Sequence, residues 1–143
     1  MQAVNNKPAR SLTHGVGLSF KADFYEDVVA SSDAERWFEV HTENYCAIGG
    51  PRKRMLTTIA ERFPISLHGV GGSLGNEGGD VTAHLANVSQ LVKQVKPAFV
   101  SEHVAWSQTE HEYLADLLPV KRTSEALTTL VNNNDRYQNA IGR

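Results

Sequence analysis

The chain has 143 residues, 41% hydrophobic and 21% charged, enough for one domain with a real core and too few for two large ones. A formal charge of −2 gives no field to gather phosphate polymers or anionic lipid, so neither nucleic acid nor a membrane surface is an expected partner. No run approaches the roughly 20 apolar residues of a membrane span, residues 1–12 lack the apolar centre of a secretion signal, and the lone cysteine, Cys46, permits no intrachain disulfide; a cytoplasmic protein is expected.

In chain order, residues 1–13 are polar and without apolar period, and read as a mobile tail ahead of a domain over 14–143. Residues 15–20 predict a short strand and 24–30 a short helix. Residues 37–41 predict a second strand ending in His41, followed by the polar loop Thr42-Glu43-Asn44-Tyr45. Pro51 suits the first turn of a helix whose stripe is Met55, Leu56, Ile59, Ala60 and Phe63, stopped by Pro64.

Ile65, Ser66 and Leu67 predict a buried third strand delivering His68 into a stretch where Gly69, Gly71, Gly72 and Gly75 are expected to loosen the backbone. Asp80 can cap a helix that buries Val81, Leu85, Val88, Leu91, Val92 and Val95 and ends at Pro97. Residues 98–106 predict a fourth strand carrying Glu102 and His103, and 107–120 a long loop closed by Asp116-Leu117-Leu118-Pro119. A last helix starts near Thr123 or Ser124, buries Ala126, Leu127, Leu130, Val131 and Tyr137, and terminates at Gly142.

This fourfold βα alternation is what parallel strands joined by crossover helices produce. No glycine-rich phosphate fingerprint follows the first strand, which makes a dinucleotide fold the weaker reading. The stronger one is a (β/α)8 barrel, whose strand ends converge on one mouth. A closed barrel takes about 250 residues. The expected class is therefore α/β, with parallel (β/α) units of a TIM barrel, about the first four of eight.

Imidazole and carboxylate are the ligand types of iron, zinc and manganese sites, and His41, His68 and the Glu102/His103 pair all sit at predicted strand ends. Strand alternation puts Glu39, His41 and Glu43 on one face if the strand stays regular, and lets only one of Glu102 and His103 face inward; Glu102 is the choice, with His103 turned toward the helices or a loop. Glu39 could hold the second ring nitrogen of His41. Glu43 and Asn44 read as ligands, substrate contacts or loop caps, and Asp116 as a ligand-orienting group or a turn cap. His14, His84 and His111 lie outside any constellation and read as solvated, Cys46 as packing, Arg52-Lys53-Arg54 as a solvated helix face, and Trp37 and Trp106 as core or mouth-lining aromatics.

Four stretches in this order, WFEVHTENY from Trp37, ISLHGVGGSLG from Ile65, VSEHVAWS from Val100 and DLLP from Asp116, resemble the amino-terminal half of the multinuclear non-heme iron-dependent oxidative enzymes. This is a TIM-barrel family that includes the iron oxygenase of methanobactin biosynthesis. The resemblance implies two or three iron ions in the barrel mouth and dioxygen-dependent oxidation of cysteines, or other residues, of a ribosomally made peptide. It implies His41, His68 and Glu102 as metal ligands, further ligands from strands five to eight, and an accessory recognition protein. Two other readings stay open: a divalent-metal barrel enzyme of the xylose-isomerase type, and an inert truncated barrel whose exposed strand edges a second copy covers as a homodimer.

Overall fold

The structure, a computed structural model, describes residues 16–32, 36–47, 49–109 and 111–143. The expected tail over 1–13, His14 and Gly15 lie outside the described residues. β1 (Gly17–Ser19), β2 (Trp37–His41), β3 (Ile65–Gly69) and β4 (Phe99–Glu102) form a parallel sheet in the order β1-β2-β3-β4. They alternate with α1 (Tyr25–Ala30), α2 (Pro51–Ala60) and α3 (Thr82–Val95), and α4 (Ser124–Ile141) packs on α3. The predicted βα alternation is thus present.

Local chemistry sets the helix ends. Pro51 opens α2 directly after Gly50 at φ 95°. Asp80 accepts from the Thr82 N–H at 2.8 Å ahead of α3, and Thr123 Oγ1 accepts from the Ala126 N–H at 3.2 Å at the start of α4. Gly142, at φ 74°, ends α4 in the left-handed conformation glycine tolerates.

Register decides the two sides of the sheet. Phe38 pairs with Ile65, Val40 with Leu67 and Leu67 with Val100, and partners across parallel strands share a face. These residues face the helices and pack with Leu56, Ile59, Phe63, Leu85, Val88, Leu91 and Val95, with Phe38 edge-on to Phe63 at 5.2 Å between ring centroids. The other face carries Trp37, Glu39, His41, Ser66, His68, Phe99 and Ser101, and Phe99 there is 52% exposed. Gly17 is required on this open face, because a β-carbon would overlap the Trp37 ring.

The stretch after Val100 departs from expectation. Residues 98–106 are not one strand: β4 ends at Glu102, the chain bends, and β5 (Ala105–Gln108) pairs antiparallel with β6 (Tyr113–Pro119) where a loop was expected. Thr109 and Glu112 close the turn, the Thr109 N–H donating to the Glu112 carbonyl at 2.8 Å and the Glu112 N–H to Thr109 Oγ1 at 3.1 Å. The polar residues of this turn and a register shift between Trp106 and Gln108 break the alternation by which a strand is recognised.

Leu56 is fully buried and Leu127 is 62% exposed. Leu56→Ala should cost about 2–5 kcal/mol of stability and Leu127→Ala under about 0.5 kcal/mol, measured by denaturant unfolding.

Candidate functional site

The glycine-rich stretch after β3 is fastened rather than loosened. None of Gly69, Gly71, Gly72 and Gly75 has a positive φ. Glu43 Oε1 accepts from the N–H groups of Val70 and Gly71 at 3.0 and 2.8 Å, and Glu102 Oε2 from the Gly72 N–H at 3.0 Å. The Gly75 N–H donates to the Ala105 carbonyl at 2.9 Å, the Ser107 N–H to Ser73 Oγ at 2.9 Å, and Asn133 of α4 donates to the Leu74 and Asn76 carbonyls, both at 2.9 Å. A β-carbon on Gly72 would lie 2.5 Å from Glu102 Oε2, one on Gly71 would lie 2.8 Å from the His84 ring, and one on Gly69 would strike the Glu102 carboxylate. The glycines are there to let side chains reach the backbone.

Glu43 arrives because β2 stops at His41. The 3-10 turn Thr42–Tyr45 follows, breaking the alternation that would have put Glu43 beside Glu39 and His41. Glu43, His84 of α3 and Glu102 then offer ligand-type atoms that all lie within 4.8 Å of one another. His84 is not solvated as expected: its side chain is 22% exposed, with Nε2 3.7 Å from Glu43 Oε1. Burial holds its pKa below the usual histidine value, partly opposed by Glu43. Its signal in the sequence was position, one and two turns ahead of Val88 and Leu91 on the buried stripe of α3. Tyr137, read as apolar filling, is 5% exposed, and its hydroxyl lies 3.4 Å from the point where a Gly69 β-carbon would sit, beside Glu102. Burial, then the charges of Glu102 and Glu43, raise the phenol pKa. Glu102 is pushed up to about 7, by burial and by the charge of Glu43, against hydrogen bonds from the His103 and Gly72 N–H groups.

The open face holds imidazoles. His41 and His68 are register partners with ring centroids 6.0 Å apart, and the His103 ring tilts against His68 at 4.5 Å. His68 Nδ1 shares a hydrogen bond of 2.7 Å with Ser101 Oγ, while His103 Nδ1 donates to the Gly69 carbonyl at 3.1 Å. Each ring thereby keeps Nε2 for another partner, the arrangement that orients histidine toward a metal. Glu102 does not take the inward side expected of it, while His103 fixes the loop through the Gly69 carbonyl, one of the two roles expected of it. Glu102 shares the side of Gly69 and Leu67 toward the helices, and the bend after β4 turns His103 onto His68.

Among the other expected site residues, Glu39 accepts from Ser66 Oγ at 2.9 Å rather than holding His41. Asn44 is exposed, and Asp116, also exposed on β6, accepts from the Leu117 N–H at 2.8 Å. Lys53, expected on a solvated face, is buried, with Nζ donating to the Ala47 carbonyl at 3.4 Å. Cys46 is half-buried, its thiol directed to the Thr42 carbonyl at 3.4 Å. Two measurements test this packing. Gly72→Ala should destabilise the protein by about 1–3 kcal/mol in denaturant unfolding, because the Glu102 carboxylate must give way. Burial and then Glu43 push the Cys46 thiol from 9.0 to about 11. Its thiolate fraction at pH 8 then falls about a hundredfold, and iodoacetamide should alkylate Cys46 correspondingly more slowly in the native than in the unfolded protein.

Residues 15–143 match the family model described as RiPP precursor modification enzyme MbnB/TglH/ChrH. A UPF0276 protein of Caulobacter vibrioides is 42% identical over 132 residues, covering 92% of this chain and 47% of that protein. One from Paraburkholderia phytofirmans is 39% identical over 139 residues (97% and 45%), and one from Bordetella pertussis 37% over 143 residues (100% and 50%). The chain spans about half the length of the curated relatives it matches. On the strength of a match running from residue 15 to residue 143, this chain belongs to the MbnB/TglH/ChrH family of RiPP precursor modification enzymes.

Proposed function

We propose that the chain forms the first (β/α) units of a TIM-barrel enzyme that uses iron and dioxygen to oxidise cysteine, or another residue, of a ribosomally made peptide. In this reading His41 and His68 supply imidazole ligands from the open face, and Glu102, the last residue of β4, brings a carboxylate to the same end of the sheet. The observation that carries it is the pairing of His41 with His68 across β2 and β3, with His68 Nδ1 occupied by Ser101 so that Nε2 is left over. This donor set fits iron: imidazole nitrogen with carboxylate oxygen, and no thiolate. The chemistry iron supplies when bound is one-electron transfer to dioxygen, which no side chain offers.

The chain's own residues position and exclude. Ser101 fixes the His68 ring, and the Gly69 carbonyl fixes His103, whose Nε2 can take a proton beside the reacting centre. The fastened glycine loop keeps the strand ends at fixed spacing, as an ordered ligand set requires. In this reading the remaining ligands come from strands five to eight of the barrel, and a separate accessory protein helps recognise the peptide.

The reading is tested on protein prepared without oxygen. Iron content by mass spectrometry of the metal should fall at least twofold in His68→Ala and His41→Ala, while the melting temperature stays within a few degrees of the parent. Unchanged iron with a sharply lower melting temperature would make His68 a packing residue and overturn the assignment.

A further inference from the structure

We propose that the cleft between α2 and α3 is an anion site, in which Lys53 and Arg54 hold one oxyanion, a carboxylate or a phosphate group. The sequence sets three cations in a row, Arg52, Lys53 and Arg54, directly behind Gly49, Gly50 and Pro51. Expected on a solvated face, Arg52 and Arg54 are exposed, but Lys53 is only 8% exposed.

Lys53 is buried with too few partners. Its ammonium has three protons to donate, and it makes one long hydrogen bond, 3.4 Å to the Ala47 carbonyl in the loop ahead of α2. Lysine is rarely buried without a carboxylate, yet among the described residues none of Arg52, Lys53 and Arg54 forms an ion pair. Glu43, in the turn that leads into this loop, accepts from the Val70 and Gly71 N–H groups instead.

The local field adds to the imbalance. The start of a helix is the positive pole of its dipole, where acidic side chains are favourable and cations are not. No acidic residue lies in the first turn of α2, and no side chain caps it. Pro51 has no N–H, so Arg52 and Lys53 carry the open N–H groups ahead of the first helical bond, from the Arg54 N–H to the Gly50 carbonyl at 3.3 Å. Three side-chain cations at an uncapped positive pole oppose folding, and a bound anion removes that opposition.

There is room to admit one. A cleft of about 510 Å³ is bounded by Gly49, Gly50, Lys53 and Arg54 on one side and by Gln90 and Gln94 of α3 on the other. β-carbons on Gly49 and Gly50 would meet nothing within 4 Å, so this end of the cleft is open. Thr57 fixes its floor, the hydroxyl donating to the Lys53 carbonyl at 2.9 Å and accepting from Gln94 Nε2 at 3.3 Å. The volume exceeds that of one anion, and the Gln90 carboxamide can meet polar groups of the molecule that carries it. None of the open-face imidazoles lines this cleft, so the inference is independent of the iron reading.

The test uses the 143-residue chain, isotope-labelled for NMR. Two probes are titrated at an ionic strength held constant with sodium chloride: inorganic phosphate, and a triglutamate peptide with both ends blocked. At least one should saturably shift the amides of Gly50, Arg52, Lys53 and Arg54, with a Kd of about 1 mM or tighter. Tighter binding of the peptide identifies the anion as a carboxylate, and tighter binding of phosphate as a phosphate group. Lys53→Met keeps the buried stem and removes the charge; it should weaken binding at least about tenfold, and Arg54→Gln a few-fold. The tighter probe should raise the melting temperature of the parent and leave that of Lys53→Met unmoved. Arg54→Gln, at an exposed position, decides the matter if Lys53→Met does not fold. His41→Ala/His68→Ala should bind the probe as the parent does, whatever becomes of its iron. Undiminished binding in the α2 variants, shifts scattered over the surface, or no saturable binding of either probe would each overturn the site.

Discussion

Two carboxylates grip the backbone of one loop, and the conformation of the glycine-rich stretch after β3 depends on that. Glu43 takes the N–H groups of Val70 and Gly71, and Glu102 takes that of Gly72. Hydrogen bonds from backbone to an ionised carboxylate contribute about 1.5–3 kcal/mol each, more than neutral ones, and at Gly71 and Gly72 a β-carbon would crowd His84 and Glu102. One interaction thus explains the glycine spacing, the departure of Glu43 from the face of His41, and the turning of Glu102 toward the helices. The loop is held from outside as well, by the hairpin of β5 and β6 and by Asn133 of α4. Its conformation therefore reports on four parts of the chain at once.

The consequence for chemistry is a division across the thickness of the sheet. A parallel sheet alternates side chains between its faces, so adjacent residues at the strand ends belong to different environments. His68 and Gly69 differ by one position, yet the first lies among imidazoles on the open face and the second underlies a carboxylate on the helix side. The open face carries the imidazoles of His41, His68 and His103. The helix side is acidic and half-buried, and burial there raises Glu102 toward neutrality. The two sides of the sheet thus differ at this end, with imidazoles on one and hydrogen-bonded carboxylates on the other.

What the sequence made legible follows from how local each signal is. Trp37 to His41 reads as β2 to the residue because alternation is clean, and α4 is bounded by a capping Thr123 and a left-handed Gly142. His41 and His68 at the ends of β2 and β3 follow from the same alternation. The hairpin did not emerge, since its turn from Thr109 to Glu112 is polar and Trp106 and Gln108 are out of register. Glu43 could not be placed, because it depends on β2 stopping at His41 and on N–H groups 27 and 28 residues away. His84 and Tyr137 were readable only in part. Helical spacing puts each on a buried stripe, but only the assembled loop makes them neighbours of the same carboxylates.

Tyr137 is where the packing argument and the site argument meet. A core position could be filled by phenylalanine at no hydrogen-bonding cost, whereas a buried hydroxyl without a partner costs about 1–3 kcal/mol. Replacement by phenylalanine would also leave the ring's contact with the core intact. A tyrosine there is therefore an expense to folding unless something at the carboxylates receives its O–H. Nearby oxygens of Glu43 and Glu102 could accept it, but they repel each other, and that repulsion is relieved only by a proton or a cation between them. With His84 Nε2 at the same spot, the unpartnered atoms of Glu43, His84 and Tyr137 gather around one patch of negative charge, and Glu102, pushed up to about 7 by burial and by Glu43, is the carboxyl placed to take up a proton there.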